Sequence, residues 1–301
     1  MGNYDTVIEG PIEKNSAKTI EIVFENKNTP VSVGTAVGQY HSHPAFQTFD
    51  TNGFWIGKFE PCGSLNSISI KPNKKSITNL KVKTIFELAY NYKRNNDSHM
   101  MKNTEWGMVT YLALSKYGIN KNINLNNNSD YKTGYSAVLT TDQSKYPGTY
   151  GNNASITQPY NTKTGYLAST TGNISGVYDM SGGTHEYMAS FTSLGTSEFE
   201  SDPRDIYGNK YFDKYLESST ISSYNNRILG DATGEFGPFY IRDGFNVNGW
   251  WENSSNFLDS TGYWVDRGGY NMNGFLGGIL YFGRSAGKDF SHIGFRIVLS
   301  S

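Results

Sequence analysis

The stretch GVYDMSGGTHEY, residues 176–187, carries most of the information about the fold of this chain. Residues 176–180 have the composition of a short strand, which we expect to end at Gly182 and Gly183, because paired glycines allow a turn that is closed to most other residues. Glu186 follows among aromatic and glycine neighbours. We expect it to hold Arg267 or Arg296 in a buried ion pair, since the planar fork of arginine suits a bidentate bracing contact.

Three other stretches complete an ordered set with this one. They are GFWIGKFE at 53–60, NTEWG at 103–107, and RGG at 267–269 followed by GRS at 283–285 and GFR at 294–296. Taken in their order along the chain, the four stretches resemble the formylglycine-generating enzyme (sulfatase-modifying factor) branch of the C-type lectin fold, over residues 53–299.

The resemblance implies an α+β fold, a C-type-lectin-like domain of the formylglycine-generating-enzyme subtype with two main helices, many short strands and long loops. It also implies structural roles for the residues that brace the turns, which are Glu186, Arg267, Gly268, Gly269 and Arg296.

The helices are placed by local signals. Residues 103–117 are predicted to form the clearest one, with Asn103 or Thr104 accepting hydrogen bonds from the free amides of the first turn. Its buried stripe should consist of Trp106, Val109, Leu112 and Ala113. A second helix is predicted within residues 77–91, whereas short strands are expected at 54–59, 176–180, 239–241, 263–268, 278–282 and 294–299. Early helices and late strands are typical of α+β domains rather than of alternating βαβ units.

Composition narrows the function classes. Hydrophobic residues make up 37% of the 301 residues, charged residues 18% and aromatic residues 15%. This composition favours a loop-rich fold packed by aromatic rings and disfavours disorder. The net charge of −1 provides no broad field for nucleic acid, so no nucleic-acid partner is expected.

Two segments are distinguished along the chain. Residues 1–45 are predicted to be a small β-rich leader or attachment module, and residues 46–301 to be the C-type-lectin-like ligand-binding domain. No apolar run reaches membrane-spanning length, and no Sec-type signal peptide is evident, so membrane insertion is not expected. The predicted location is a virion or the cell exterior, or the cytoplasm if neither applies.

Catalysis by the resembled enzyme is not expected. That chemistry depends on two cysteines beyond the Arg-Gly-Gly turn, and here the corresponding positions fall near Asn273 and Gly278, while Cys62 is the single cysteine. Neither side chain can supply a thiolate or a copper–thiolate site. No catalytic residues are predicted, and no cofactor. A calcium site is left as an alternative, but no spacing of carboxylate residues is specific for one.

The C-terminal segment points to binding instead. It resembles the variable region of proteins diversified by retroelements, among them phage receptor-binding proteins and gut-bacterial variable lectins. Large side chains alternate there with glycines, and rigid aromatic residues give much contact area at low entropic cost. The predicted ligand-binding residues are Trp250, Trp251, Tyr270, Met272, Asn273, Phe275, Leu276, Ile279, Tyr281 and Ser285.

The expected function is therefore that of a non-catalytic adhesin or receptor-binding protein. Its partner would be a cell-surface protein or a glycan, and the family likeness suggests a homo-oligomer, a trimer by analogy. Two alternatives remain open at this point. One is a metal-dependent, oxidase-like enzyme on the same fold, and the other is a structural virion component. A Ser–His–Asp triad from Ser285, His292 and Asp289 has the residue types but no pattern that aligns them.

Overall fold

The structure is a computed structural model. It describes residues 24–25, 41–42, 53–114, 117–137, 157–215, 239–242, 246–249, 253–256, 258 and 260–300. Helices and strands both occur, as expected for an α+β fold. The predicted 1–45 module lies outside these ranges, except for the two-residue strands β1 (Phe24–Glu25) and β2 (His41–Ser42), which pair in parallel.

Three α-helices lie in the described ranges, namely α1 (Val82–Asn91), α2 (Asn103–Leu114) and α3 (Pro203–Tyr207). The predictions of helices within 77–91 and from residue 103 are confirmed. Short 3-10 turns connect other elements at Arg94–Asn96, Gly165–Ala168, Ser193–Phe199, Asn209–Tyr211 and Gly274–Leu276.

Two side chains from distant strands bind the first amides of helix α2. The amide of Asn103 donates to Ser190 Oγ at 2.8 Å, and that of Thr104 donates to Asp213 Oδ2 at 2.9 Å. Leu112 is wrongly placed in the buried stripe, because it is 38% exposed, whereas Trp106 is fully buried.

The largest sheet has eight strands. Its order is β10 (Asp213–Tyr215), β9 (His185–Thr192), β14 (Trp264–Arg267), β15 (Phe282–Ser285), β13 (Ser254–Ser255), β12 (Asn246–Gly249) and β11 (Phe239–Arg242), with β16 (Ile293–Phe295) parallel to the start of β9. Strands β9 and β14 are antiparallel, with Glu186 opposite Arg267 and Tyr187 opposite Asp266. The sheet thus brings the motif at 176–187 and the motif that begins at Arg267 side by side.

Strand β9 separates two hydrophobic cores because successive side chains point to opposite faces of a sheet. Tyr187 and Phe191 lie in one core with α1, Phe212, Trp264 and Phe295. Met188 lies in the other core, which contains residues from α2 together with Ile279 and Phe282. All eight residues of β9 are buried, so neither face of this strand is open to water.

Smaller sheets complete the fold. Strand β17 (Ile297–Ser300) lies between β3 (Phe54–Ile56) and β6 (Ser98–Met100). Strands β4 (Pro61–Ser64) and β5 (Ser67–Ile70) form a hairpin, and β7 (Tyr135–Ala137) pairs with β8 (Thr157–Pro159).

Two strand predictions are wrong. Residues 176–180 form no ladder, because their backbone makes single bonds to separate partners: Tyr178 N donates to Lys58 O, and Val177 O accepts from Thr170 N. Residues 278–281 form a turn, and the strand begins only at Phe282.

Candidate functional site

A buried arginine connects three of the four sequence motifs. Arg296 is completely buried and forms an ion pair with both carboxylate oxygens of Glu186, the Nε–Oε2 distance being 3.0 Å. Nη1 donates to the carbonyl of Gly57 at 2.7 Å, and Nη2, which also binds Glu186, donates to the carbonyl of Tyr178 at 3.0 Å. Of the two arginines considered as partners for Glu186, Arg296 is therefore the one that pairs with it.

A second buried arginine, Arg267, contacts the remaining motif, at residues 103–107. Arg267 donates to Asn103 Oδ1 at 2.8 Å, at the start of α2, and its guanidinium lies 5.4 Å from the ring centre of Trp106. The indole of Trp106 in turn donates to the carbonyl of Ile279 at 2.8 Å. Arg267 thus anchors the C-terminal segment to α2. We call Arg267, Arg296 and Glu186 the arginine framework.

The glycine turns fit against this framework. Gly182, Gly183, Gly268 and Gly269 all have positive φ, between 72° and 82°, which favours glycine. The carbonyl of Gly268 accepts from the amides of Gly182 and Gly278 at 3.1 and 3.0 Å. A Cβ on Gly182 would lie 2.4 Å from Leu125 Cγ, so this position leaves no room for a side chain.

Three carboxyl groups surround the single charge of Arg296. Burial raises the pKa of Glu186 to about 7, although Arg296 acts in the opposite direction. Burial, followed by the nearby Asp179 and Glu186, raises the pKa of Glu60 well above its usual range. Glu60 is held by Thr184, whose amide and hydroxyl both donate to Oε1 at 3.0 Å. One guanidinium thus faces three buried carboxyl groups, which accounts for the direction in which the pKa of Glu60 is shifted.

The segment that follows the framework forms a tight surface turn. The amide of Tyr270 donates to Asn273 Oδ1 at 2.6 Å, and the amide of Asn273 donates back to the carbonyl of Tyr270 at 2.9 Å. Met272 at the tip is 69% exposed, whereas Leu276 is half-buried. Asn271 is tied down, since its amide donates to Gly183 O at 3.1 Å. We call residues 270–276 the display turn.

A cluster of rings and one carboxylate lies beside the display turn. The ring of Tyr270 lies 5.1 Å from that of His185 and 5.1 Å from that of His292, and the two imidazoles are 5.5 Å apart. Tyr281 lies 5.1 Å from His185 on another side. Behind them, Asp266 Oδ1 is 3.3 Å from His185 Nδ1. We call these five residues the histidine–tyrosine patch.

The interior of the patch contains polar groups that are incompletely satisfied. His185 and Asp266 have side chains that are only 9% and 6% exposed. Among the described residues, neither His185 Nδ1 nor Asp266 Oδ1 has a well-aligned hydrogen-bond partner. Such buried polar atoms carry a free-energy cost unless a partner arrives. Burial, followed by Asp266, raises the pKa of Tyr281 well above its usual range.

A glycine makes room for this polar interior. A Cβ on Gly283 would lie 2.4 Å from Asp266 Oδ1 and 2.8 Å from the hydroxyl of Tyr281. Gly283 lies opposite Asp266 in the β14–β15 pair. The carboxylate and the phenol therefore converge over a position that only glycine leaves open.

Three residues predicted to contact ligand are buried. Ile279 is fully buried and belongs to the core against α2. Tyr281 is 8% exposed, and Ser285, which is 9% exposed, exchanges a 2.7 Å hydrogen bond with the hydroxyl of Tyr187. The glycines around them suggested exposure, but Ile279 and Tyr281 lie in a buried turn and Ser285 lies in the buried strand β15. Ser285 is also engaged away from His292, so the triad considered for these residues is not formed.

The remaining predicted ligand residues have varied positions. Tyr270 and Asn273 are half-buried in the display turn, as is Leu276, and Met272 is exposed. Trp250 and Trp251 lie outside the described residues. For Phe275 the structure describes the backbone, within Gly274–Leu276, but not the side chain.

The predicted ligand-binding residues do not include three members of the patch, namely His185, Asp266 and His292. Strand parity carried a signal for two of them. His185 has the parity of Tyr187, and Tyr187 lies opposite Asp266, so both side chains share one face of the sheet. No local pattern placed His292 there, because its position follows from the parallel pairing of β16 with β9.

The residues that the structure describes contain neither a metal-ligand cluster nor a membrane-spanning helix. Within them, no three His, Cys, Asp or Glu side chains gather as a metal site would require, and the calcium site stays a prediction. No helix in the described ranges is long and apolar enough to cross a membrane.

Comparison with known proteins adds no assignment. No protein-family model matches the chain, and no curated protein is significantly similar to it in sequence.

Proposed function

We propose that this chain is a non-catalytic ligand-binding protein whose binding surface is the display turn together with the exposed edge of the histidine–tyrosine patch. The observation that carries the proposal is the contrast within one segment: Arg267 and Arg296 are fully buried, while Met272 between them is 69% exposed. A rigid base beneath exposed side chains gives the preorganisation on which tight binding depends.

The scaffold is proposed to be a C-type-lectin-like domain of the formylglycine-generating-enzyme type. Its support is the convergence of the four motifs, since Arg296 joins residues of the first, third and last, and Arg267 joins the last to Asn103 of the second. Motifs that are far apart in sequence have no local reason to meet in this way. The proposal of a non-enzyme is supported by the sequence, which has Asn273 and Gly278 where the related enzymes have cysteines.

Tyr270 and Met272 suit the role of contact residues. The tyrosine ring is positioned by two imidazoles, so little rotational freedom remains to be lost on binding. Met272 provides a flexible apolar contact that can adapt to different partners. We propose a cell-surface protein or glycan as the partner. The chain itself is proposed to lie on a virion or outside the cell.

A screen against a glycan array and a panel of intact cells tests the proposed function. The wild-type chain is expected to bind a subset of targets, and Tyr270→Ala and Met272→Ala should each weaken that binding at least tenfold, the scale of a lost contact residue. Ile206→Ala is the matched control, because Ile206 is also an exposed apolar side chain, at 55%, but lies on α3. Unchanged binding by both display-turn variants would refute the site.

Two further parts of the proposal have their own tests. If the surface is diversified by a retroelement, related isolates should differ in the display turn and share the arginine framework, and identical display turns throughout one lineage would contradict this. Light scattering on the purified chain tests the proposed trimer, which would add avidity to weak single sites. Stoichiometric transition metal in the purified protein would instead favour an enzyme.

A further inference from the structure

The histidine–tyrosine patch contains two imidazoles and one carboxylate. Asp266 lies beside His185, with 3.3 Å between Oδ1 and Nδ1, and His292 lies 5.5 Å from His185 between ring centres. Tyr270 contacts both imidazoles. A charge on His292 would therefore lie among aromatic rings and a second imidazole, partly out of water.

The other groups near the patch do not add a second negative charge among the described residues. His185 faces Asp266, Tyr270, Tyr281 and His292, while His292 faces His185, Tyr270 and the ring of Phe290. Tyr131 approaches Tyr270 from the 117–137 segment. The hydroxyl of neighbouring Tyr187 shares a hydrogen bond with the hydroxyl of Ser285 and donates to the carbonyl of Lys288.

Lys288, whose carbonyl accepts a hydrogen bond from Tyr187, pairs its side chain with Glu198, the Nζ–Oε1 distance being 2.7 Å. Burial, followed by the proximity of His185, lowers the pKa of His292, whereas Asp266 acts in the opposite direction. The patch therefore disfavours a charge on His292 in its half-buried position.

The two histidines differ in their freedom to move. His185 begins β9, is only 7% exposed and is paired through its backbone with Ile293. His292 is half-buried and closes the irregular segment that precedes β16. A charged side chain of His292 can therefore rotate toward water, whereas the side chain of His185 is confined.

We propose that His292 is an acid-operated switch: at neutral pH it holds Tyr270 in the patch, and its protonation at mildly acidic pH drives it out and releases Tyr270. The regulation of ligand binding by this switch rests on the proposed function, because Tyr270 belongs to the proposed contact surface. Ligand would be held at neutral pH and released in acid. The affinity would fall about tenfold for each pH unit over which release is linked to the uptake of one proton.

The switch itself is tested without any ligand. Aromatic NMR spectra of the full-length protein are recorded from about pH 7.5 to about pH 5, the range in which histidine titrates. The chain has five histidines, so their ring signals can be assigned by substitution. We expect the ring signals of Tyr270 to change with the same midpoint as those of His292.

The matched variant is His292→Phe, which keeps an aromatic contact with Tyr270 but cannot take up a proton. Its Tyr270 signals should match the wild type at neutral pH and stay unchanged in acid. Tyr270 signals that ignore the titration of His292, or an identical acid change in His292→Phe, would overturn the switch.

The array and cell panel described above, read at about pH 7.5 and about pH 5.5, separates the two proposals. Binding that weakens in acid for the wild type but not for His292→Phe supports regulation. Binding by the wild type that is equal at both pH values overturns regulation. No binding at either pH counts against the proposed function, and the NMR result still decides the switch.

Discussion

Arg296 and Met272 belong to the same C-terminal segment, yet one is completely buried and the other is 69% exposed. Arg296 satisfies Glu186 and two backbone carbonyls, so its replacement leaves several buried polar groups without partners. Met272 lies at the tip of a turn whose hydrogen bonds are made by Tyr270 and Asn273. The comparison teaches that conformation and surface chemistry are carried by different residues of one segment, so the second can vary without loss of the first.

The strongest way to break this comparison is to remove Arg296. Arg296→Met should lower the free energy of unfolding by about 3–5 kcal/mol, because breaking a buried ion pair leaves an uncompensated charge. Urea unfolding measures the effect. Arg204→Met is the control, since Arg204 also pairs with a carboxylate, Asp202 at 2.8 Å, but is 32% exposed; it should cost no more than about 1 kcal/mol. Equal losses in the two variants would contradict the role of the framework.

Gly283 tests how closely the framework sheet and the patch are fitted. Gly283→Ala should destabilise the protein by about 1–3 kcal/mol, because the added Cβ would overlap Asp266 Oδ1 and approach the Tyr281 hydroxyl. Thermal unfolding gives the loss of stability, and the NMR signals of His185 should shift in the same variant. An alanine at 283 that leaves both unchanged would show that the polar interior is loosely packed.

Asp213 tests the remote capping of α2. Its Oδ2 accepts from both the amide and the hydroxyl of Thr104 at 2.9 Å. Asp213→Ala should therefore cost about 1–2 kcal/mol, the usual range for a lost helix cap. If the measured loss is negligible in urea unfolding, water or another side chain replaces the cap.

These elements show what the sequence could and could not predict. The buried contact of Glu186 with an arginine and the position of α2 were predictable, because paired glycines and helical spacing are local signals. The hydrogen bonds that Ser190 and Asp213 accept from the first amides of α2 were not predictable, since these residues are far from α2 in sequence and close only in space. Burial of Ile279 was missed for a similar reason: glycine neighbours suggested exposure, but the core against α2 covers both sides of that turn.

The acid–base behaviour of the framework gives a smaller effect. Burial raises the pKa of Glu60 well above its usual range and that of Glu186 to about 7, so the folded state binds more protons than the unfolded chain. The proton binding of these two carboxyl groups therefore stabilises the folded state at low pH, and this contribution to the free energy of unfolding is lost as pH rises through about 7. Glu60→Gln should remove part of this dependence, by about 1 kcal/mol between about pH 5 and about pH 8. Parallel pH profiles for the two proteins would exclude a protonated Glu60.

The most direct measurement is the free energy of unfolding in urea of a triple variant, Tyr270→Ala, Met272→Ala and Leu276→Ala. We expect the variant to unfold cooperatively and to lose less stability than Arg296→Met alone, because the exposed tip of the display turn adds little to the core. A loss equal to or greater than that of Arg296→Met would contradict the account, since the display turn would then belong to the framework.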